Sequence, residues 1–136
     1  VRSGRQLWVG GHFGTHADGS IFTGKVGESV SVEAACGAAR SAAINLLATV
    51  RAELGSLDEV SQIVRVCGVV NSTPDFSGQT GVIDAASSVF VEVFGDRGRH
   101  ARLAVGVAAL PGDLVLEIEA VLDIAERVAA PEAGEA

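Results

Sequence analysis

No stretch of this sequence stays apolar for the roughly 18 consecutive residues that a membrane span needs, because Gly, Ser, Arg or Glu interrupts every run. A soluble chain without a membrane partner is expected. Basic residues are scarce as well: 10 Lys and Arg stand against 17 Asp and Glu, for a formal charge of -7. That balance leaves no large positive field to collect phosphates and argues against nonspecific nucleic-acid binding, DRGRHAR at residues 96–102 being a local exception. Cysteine is limited to Cys36 and Cys67, both in apolar surroundings, with no CxxC and no Cys/His cluster at metal spacing. Buried free thiols in a reducing cytoplasm are the expectation, and neither a disulfide framework nor a metal site. No GxGxxG or GxxxxGK(S/T) opens a helix, so GGHFG and Asp18-Gly19 read as turns rather than as a phosphate cradle. His12, His16 and His100 also lack metal spacing and read as surface or loop residues. The opening VRSGRQLWVGG has neither an initiator Met nor the pattern of a secretory signal, so a preceding native segment is expected.

What is present suits one compact domain. The length of 136 residues and 48% hydrophobic content are ample for a single core, expected over residues 1–125 with a polar tail at 126–136. GRQLWVGGHFG alternates in parity as a short strand running into a turn, and Ile21 and Phe22 would begin a second after Asp18-Gly19. From Ser31 the period becomes helical, with Ala35, Ala38, Ala42, Leu46, Val50 and Leu54 in line, Ser31 placed as N-cap and Gly55 as C-terminal cap. The run from Ile63 to Val70 is apolar on both parities except at Arg65, as an internal strand would be. A second helix over VIDAASSVFVEVFG turns Val82, Ala86, Val89, Phe90 and Val93 to one side and ends near Gly95. LAVGVAAL and LVLEIEAVLDIA then form two strands about Pro111-Gly112-Asp113. The order β-β-α-β-α-β-β predicts an α+β layer of two helices on one sheet face. The other face needs a cover, and a symmetric homo-oligomer would supply one.

Charged residues inside these last strands pose the functional question. Arg102 shares its face with the small residues Ala104, Gly106 and Ala108, whereas Glu117 and Glu119 share theirs with Val115 and Val121. Arg102 is a structural ion pair with Glu117, Glu119 or Asp84, a snorkelling edge residue, or a carboxylate-binding arginine at a pocket edge. Glu117 is either solvated or a base that activates water.

The segment HARLAVGVAALPGDLVLEIEAV resembles the C-terminal signature of the RidA (YjgF) family, also labelled L-PSP. GRQLWVGG, the alanine-rich helix with Asn45 and Leu46, and TPDF resemble that family's opening strand, first helix and D-F turn. The likeness runs to about Ala125, and VFGDRGRHARLAVGV is closer to a bacterial side branch than to the best-studied deaminases. It implies a chorismate-mutase-like fold, with a mixed sheet carrying both helices on one face, and a homotrimer whose sheets form a central barrel with pockets between subunits. It further implies hydrolysis of reactive enamines and imines, of the 2-aminoacrylate type, to 2-keto acids and ammonia. Carried over by position, Arg102 would clamp the substrate carboxylate, the Ala104 backbone would contact the imine nitrogen, and Glu117 would position or activate water. Binding, orientation and one activated water suffice for an electrophilic imine, so neither metal nor cofactor is implied.

Departures from the family pattern bear on this activity. The family's pocket tyrosine has no counterpart, since the chain contains no Tyr; its Ser-Gly-Gln is here Gly10, Gly11, His12; and an Asn of the second helix is Asp84. A noncatalytic small-ligand or partner-binding trimer is therefore the competing expectation, with an endoribonuclease or translation inhibitor third. Were the two final strands a hairpin, Arg102 would lie near Val121, four residues or about 13 Å from Glu117; a strand between them, as the family fold suggests, would widen the gap.

Overall fold

The computed structural model describes residues 1–126. The expected polar tail therefore lies, beyond Glu126, outside the described residues. In chain order the elements are β1 (Arg2–Ser3), β2 (Gln6–His12), α1 (Val32–Leu54), β3 (Val60–Asn71), α2 (Gln79–Phe94), β4 (Ala101–Val107) and β5 (Leu116–Ile124). The strands form one mixed sheet in the order β1-β2-β5-β3-β4, parallel only between β3 and β4, with both helices packed on one face. The α+β expectation of two helices on one side of a mixed sheet holds.

The first helix forms for the reasons its sequence gives. Ser31 is extended and its side chain accepts from the Ala34 N–H at 3.1 Å, a cap that contributes about 1 kcal/mol. Gly55 closes the helix at φ +84°, which favours glycine, and its N–H returns to the Arg51 carbonyl. Between these caps Ala35, Ala38, Ala42, Leu46 and Val50 are buried in the predicted line. Their small volumes allow close approach: a side chain at Gly14 would stand 2.4 Å from the Ala38 carbonyl oxygen.

The second helix departs from expectation at one residue. Val82, Ala86, Val89 and Phe90 are buried as predicted, but Val93 is exposed and Phe94 holds the inward position of the last turn, where its larger ring removes more apolar area from water. Ile21 and Phe22 form no strand either. Ile21 makes only an isolated bridge to Thr15, because side chains of α1 fasten this loop instead. Asn45 donates to the Phe13 carbonyl at 2.9 Å and Ser41 donates to the Thr15 carbonyl at 2.8 Å. The strand that does pair beside β2 is β1, reached through Gly4 at φ +59°.

The final strands are not a hairpin. β3 lies between β4 and β5, matching Val66 to Arg102 on one side and to Ala120 on the other. Parity along β3 then divides the molecule. Val66, Gly68 and Val70 face the helices in a continuous core with Ile118, Ala120 and Leu122, while Arg65, Cys67 and Val69 face the side that no helix covers. Trp8, Leu103 and Val105 also belong to that side, exposed by 52%, 46% and 37%. Both cysteines are free, as expected, but only half-buried, since Cys67 stands on the open face and Cys36 on a helix flank.

Candidate functional site

Arg102 and Ala104 lie on β4 with their side chains toward α2, because they pair with the inward-facing Val66 and Gly68. The Arg102 side chain is largely covered, at 20% exposure, and its Nη1 donates to Asp84 Oδ1 at 2.6 Å and to Ser87 Oγ at 3.2 Å. Asp84 and Ser87 are one helical turn apart on α2, the spacing that puts two side chains on one face. The choice between ion-pair partners thus falls to Asp84. With Asp84 exposed by 60%, such a pair contributes about 0 to 1 kcal/mol to folding.

The contact continues through a histidine. His100 Nδ1 meets the Gly98 carbonyl at 2.6 Å; a carbonyl only accepts, so the proton sits on Nδ1. In the neutral ring Nε2 then accepts from the Ser87 hydroxyl at 2.9 Å, leaving Ser87 Oγ to accept from Arg102. Burial lowers the His100 pKa below its ordinary value, the neighbouring Arg102 charge acts the same way, and the Gly98 bond opposes both. The chain Arg102–Ser87–His100 holds one end of the guanidinium. Its Nε and Nη2, and Asp84 Oδ2, have no hydrogen-bond partner among the described residues.

His100 lies in the loop before β4, as expected, but it is half-buried behind Arg102 and packs edge-on against Phe90. His12 is the last residue of β2, where Nδ1 bonds the Gly10 carbonyl and Nε2 bonds Thr49 Oγ1, both at 2.8 Å. His16 is exposed and stacks on Phe22. A signal for His100 was available in parity. It stands two residues before Arg102, so both side chains point toward the helix that carries Ser87.

Glu117 is elsewhere. It pairs with Val69 on β5 and projects from the open face of the sheet, beside Glu119. The β2–β5 register breaks between Val9 and His12, which puts Gly11 against Glu117; a side chain on Gly11 would come 3.0 Å from Glu117 Oε1. The missing side chain there leaves an open depression of about 350 Å³ lined by Gly11, Cys67, Val69 and the two glutamates. Gly10 is exposed, with nothing within 4 Å of where its side chain would stand. The structure therefore brings Arg102, Asp84 and Ala104 together on one face, and Gly11 and Glu117 on the other. Arg102 and Glu117 are two strand spacings and three residues apart, about 10 Å in each direction.

Residues 2–121 match the family described as "YjgF/chorismate mutase-like, putative endoribonuclease". Protein TCP17 of Trypanosoma cruzi is 40% identical over 125 residues, which is 91% of this chain and 78% of that protein. Among solved structures, Atu1372 of Agrobacterium tumefaciens, of unknown function, superposes with a TM-score of 0.88 at 40% identity, covering 92% of this chain and 79% of its own. A Shewanella oneidensis protein with the same endoribonuclease description gives 0.87 at 26% identity, over 91% and 82% of the two chains.

Proposed function

The chain belongs to the YjgF/chorismate mutase-like family, and on that premise we propose that it is an imine deaminase, hydrolysing reactive 2-imino acids to 2-keto acids and ammonia at a site shared between subunits of a homotrimer. One observation carries this reading: Arg102 and Glu117 leave the same sheet from opposite faces. No small substrate reaches both within one chain. A second copy can complete the site by placing its Glu117 against Arg102 of the first, and the open face with Trp8, Leu103 and Val105 supplies apolar area for that contact.

The chemistry divides between the halves. Arg102 offers Nε and Nη2 to the substrate carboxylate while Nη1 stays held by Asp84 and Ser87, so the fork is oriented before the ligand arrives. The Ala104 backbone, two residues along β4, lies in reach of the group next to that carboxylate. Glu117 of the second copy orients and deprotonates the water that attacks the imine carbon. Gly11 keeps the space beside Glu117 open for this water.

Asp84 favours a second reading, in which the same cleft binds a small ligand without turning it over, because its carboxylate already occupies part of the arginine. The two readings differ in one assay. Imino acids generated in the cuvette by an amino-acid oxidase should release ammonia faster with the protein than in buffer. Arg102→Ala and Glu117→Ala should each lose at least tenfold to a hundredfold, the scale of one charge-assisted contact or one base. A wild-type rate equal to buffer on several imino acids would leave the binding reading. The endoribonuclease description of the relatives finds little support in a chain of net charge -7.

A further inference from the structure

We propose that the Asp84–Arg102 pair makes this half-site selective for zwitterions: it takes a carboxylate beside a cationic nitrogen and discriminates against the bare carboxylate of a keto acid. The inference rests on the carboxylate-binding reading of Arg102 and goes further by naming the charge state of the ligand.

Three features of the pair lead there. Its two charges cancel, since Nη1 and Oδ1 are 2.6 Å apart, and the neighbouring His100 is held toward its neutral form, so the pair offers no net positive charge to a plain anion. Donor and acceptor also stand side by side and both are incompletely used: Nε and Nη2 of Arg102 and Oδ2 of Asp84 have no partner among the described residues. Finally, the acid is the more exposed member, at 60% against 20%, so its charge is open to a ligand on the arginine. A carboxylate on Arg102 is brought within about 5 Å of the Asp84 charge. At the dielectric of a protein surface that repulsion weakens binding by up to about a few hundredfold unless a cation on the ligand cancels it.

The protonated 2-imino acid carries that cation on the atom next to the reacting carbon. Its hydrolysis converts C=NH2⁺ and water into C=O and NH4⁺, the water supplying the oxygen and two protons, and leaves a keto acid that has lost the positive charge. Asp84 would therefore hold the iminium form, which is the one water attacks, and would weaken the hold on the product once nitrogen leaves. Asp84 acts here as a specificity-determining residue.

Calorimetric titration of the intact protein with 2-aminobutanoate and 2-oxobutanoate tests this, because the two share chain length and carboxylate and differ in the cationic nitrogen. Wild type should bind the amino acid at least about tenfold tighter. Asp84→Asn should bring the two within about threefold, mainly by tightening the keto acid, and Asp84→Ser should do the same through a smaller side chain. A preference unchanged in both variants, or no preference in wild type, overturns the selectivity while leaving the arginine clamp in place. Arg102→Ala should weaken both ligands; if it binds them as wild type does, the clamp itself fails. Binding of neither ligand by wild type at millimolar concentration removes both.

Discussion

Arg102 and Glu117 are charged residues on strands of one sheet, but their surroundings have little in common. Arg102 stands on the helix-covered face, one-fifth exposed, with Asp84, Ser87 and, through Ser87, His100 fixing its direction. Glu117 stands on the open face beside a glycine, and no hydrogen bond to it is formed by the described residues. The arginine is held within its own chain by these contacts, as the proposed carboxylate clamp requires. The glutamate is built as half of something, with its direction left to whatever covers that face. On the proposed reading, a site divided in this way would acquire its function from association rather than from folding alone.

The strongest test of this difference is to break each half in a different copy. Arg102→Ala and Glu117→Ala chains, unfolded and refolded together in equal amounts, should regain roughly a quarter of wild-type ammonia release, because random threefold rings place an intact arginine beside an intact glutamate at one interface in four. Each variant refolded alone should stay inactive. If mixed rings form, as mass measurement would reveal, and wild type regains activity by the same procedure, absence of recovery would show that the two residues do not meet across an interface.

Adjacent positions on β3 sharpen the contrast between faces. A side chain at Gly68 would stand 2.6 Å from Ile83 Cδ1 on α2, whereas Cys67 faces the uncovered side. Gly68→Val should therefore cost about 1 to 3 kcal/mol by forcing the helix off the sheet, and Cys67→Val less than about 0.5 kcal/mol in the separated subunit. Urea unfolding at low protein concentration measures both. Equal losses would mean that the open face is as tightly packed as the covered one.

Two glycines of β2 provide a finer version. Gly11→Ala should push the flexible end of Glu117 by a few tenths of an ångström, lowering ammonia release several-fold at nearly unchanged stability, while Gly10→Ala meets nothing within 4 Å in the separated subunit and should lower it less. Matching effects from the two would argue against Glu117 as the residue that positions water.

The parts of this arrangement that the sequence revealed are those governed by local period. Alternation along β4 and β5 was enough to assign Arg102 and Glu117 to faces, and the 3.6-residue spacing with Ser31 and Gly55 was enough for α1. Strand order was not readable in the same way, because parity says which way a side chain points but not which strand lies next door. Both a hairpin and an intervening β3 satisfied the alternation. The loop from Phe13 to Val30 differs for a related reason: Ile21-Phe22 has strand composition, but Phe22 makes only single backbone bonds to Gly14 and Val115, while Asn45 and Ser41 of α1 bind the Phe13 and Thr15 carbonyls. Ser87 and His100 are polar residues in ordinary positions, and only the packing of α2 over β4 reveals that they are hydrogen-bonded.

That hydrogen bond gives the smallest effect and the last test of the covered half. His100 has a pKa lowered from its ordinary value near 6.5, so between that value and the lower folded one the unfolded chain binds more protons than the folded chain. Stability therefore rises with pH in that window: the contribution is fully present above about 6.5 and is lost as pH falls toward the folded pKa. Protonation would also reverse the Ser87 bond, since an imidazolium Nε2 must donate where the neutral ring accepts, and Ser87 would have to aim its own proton elsewhere beside Arg102. His100→Gln keeps a polar side chain of similar reach without the titration. The urea midpoint of wild type should fall more steeply than that of the variant as pH is lowered from 7, and imidazole proton shifts in NMR should report a His100 midpoint below the ordinary value. Parallel pH profiles for the two proteins, or a His100 midpoint at or above 6.5, would mean that the histidine is not held neutral behind the arginine and that Arg102 is positioned by Asp84 alone.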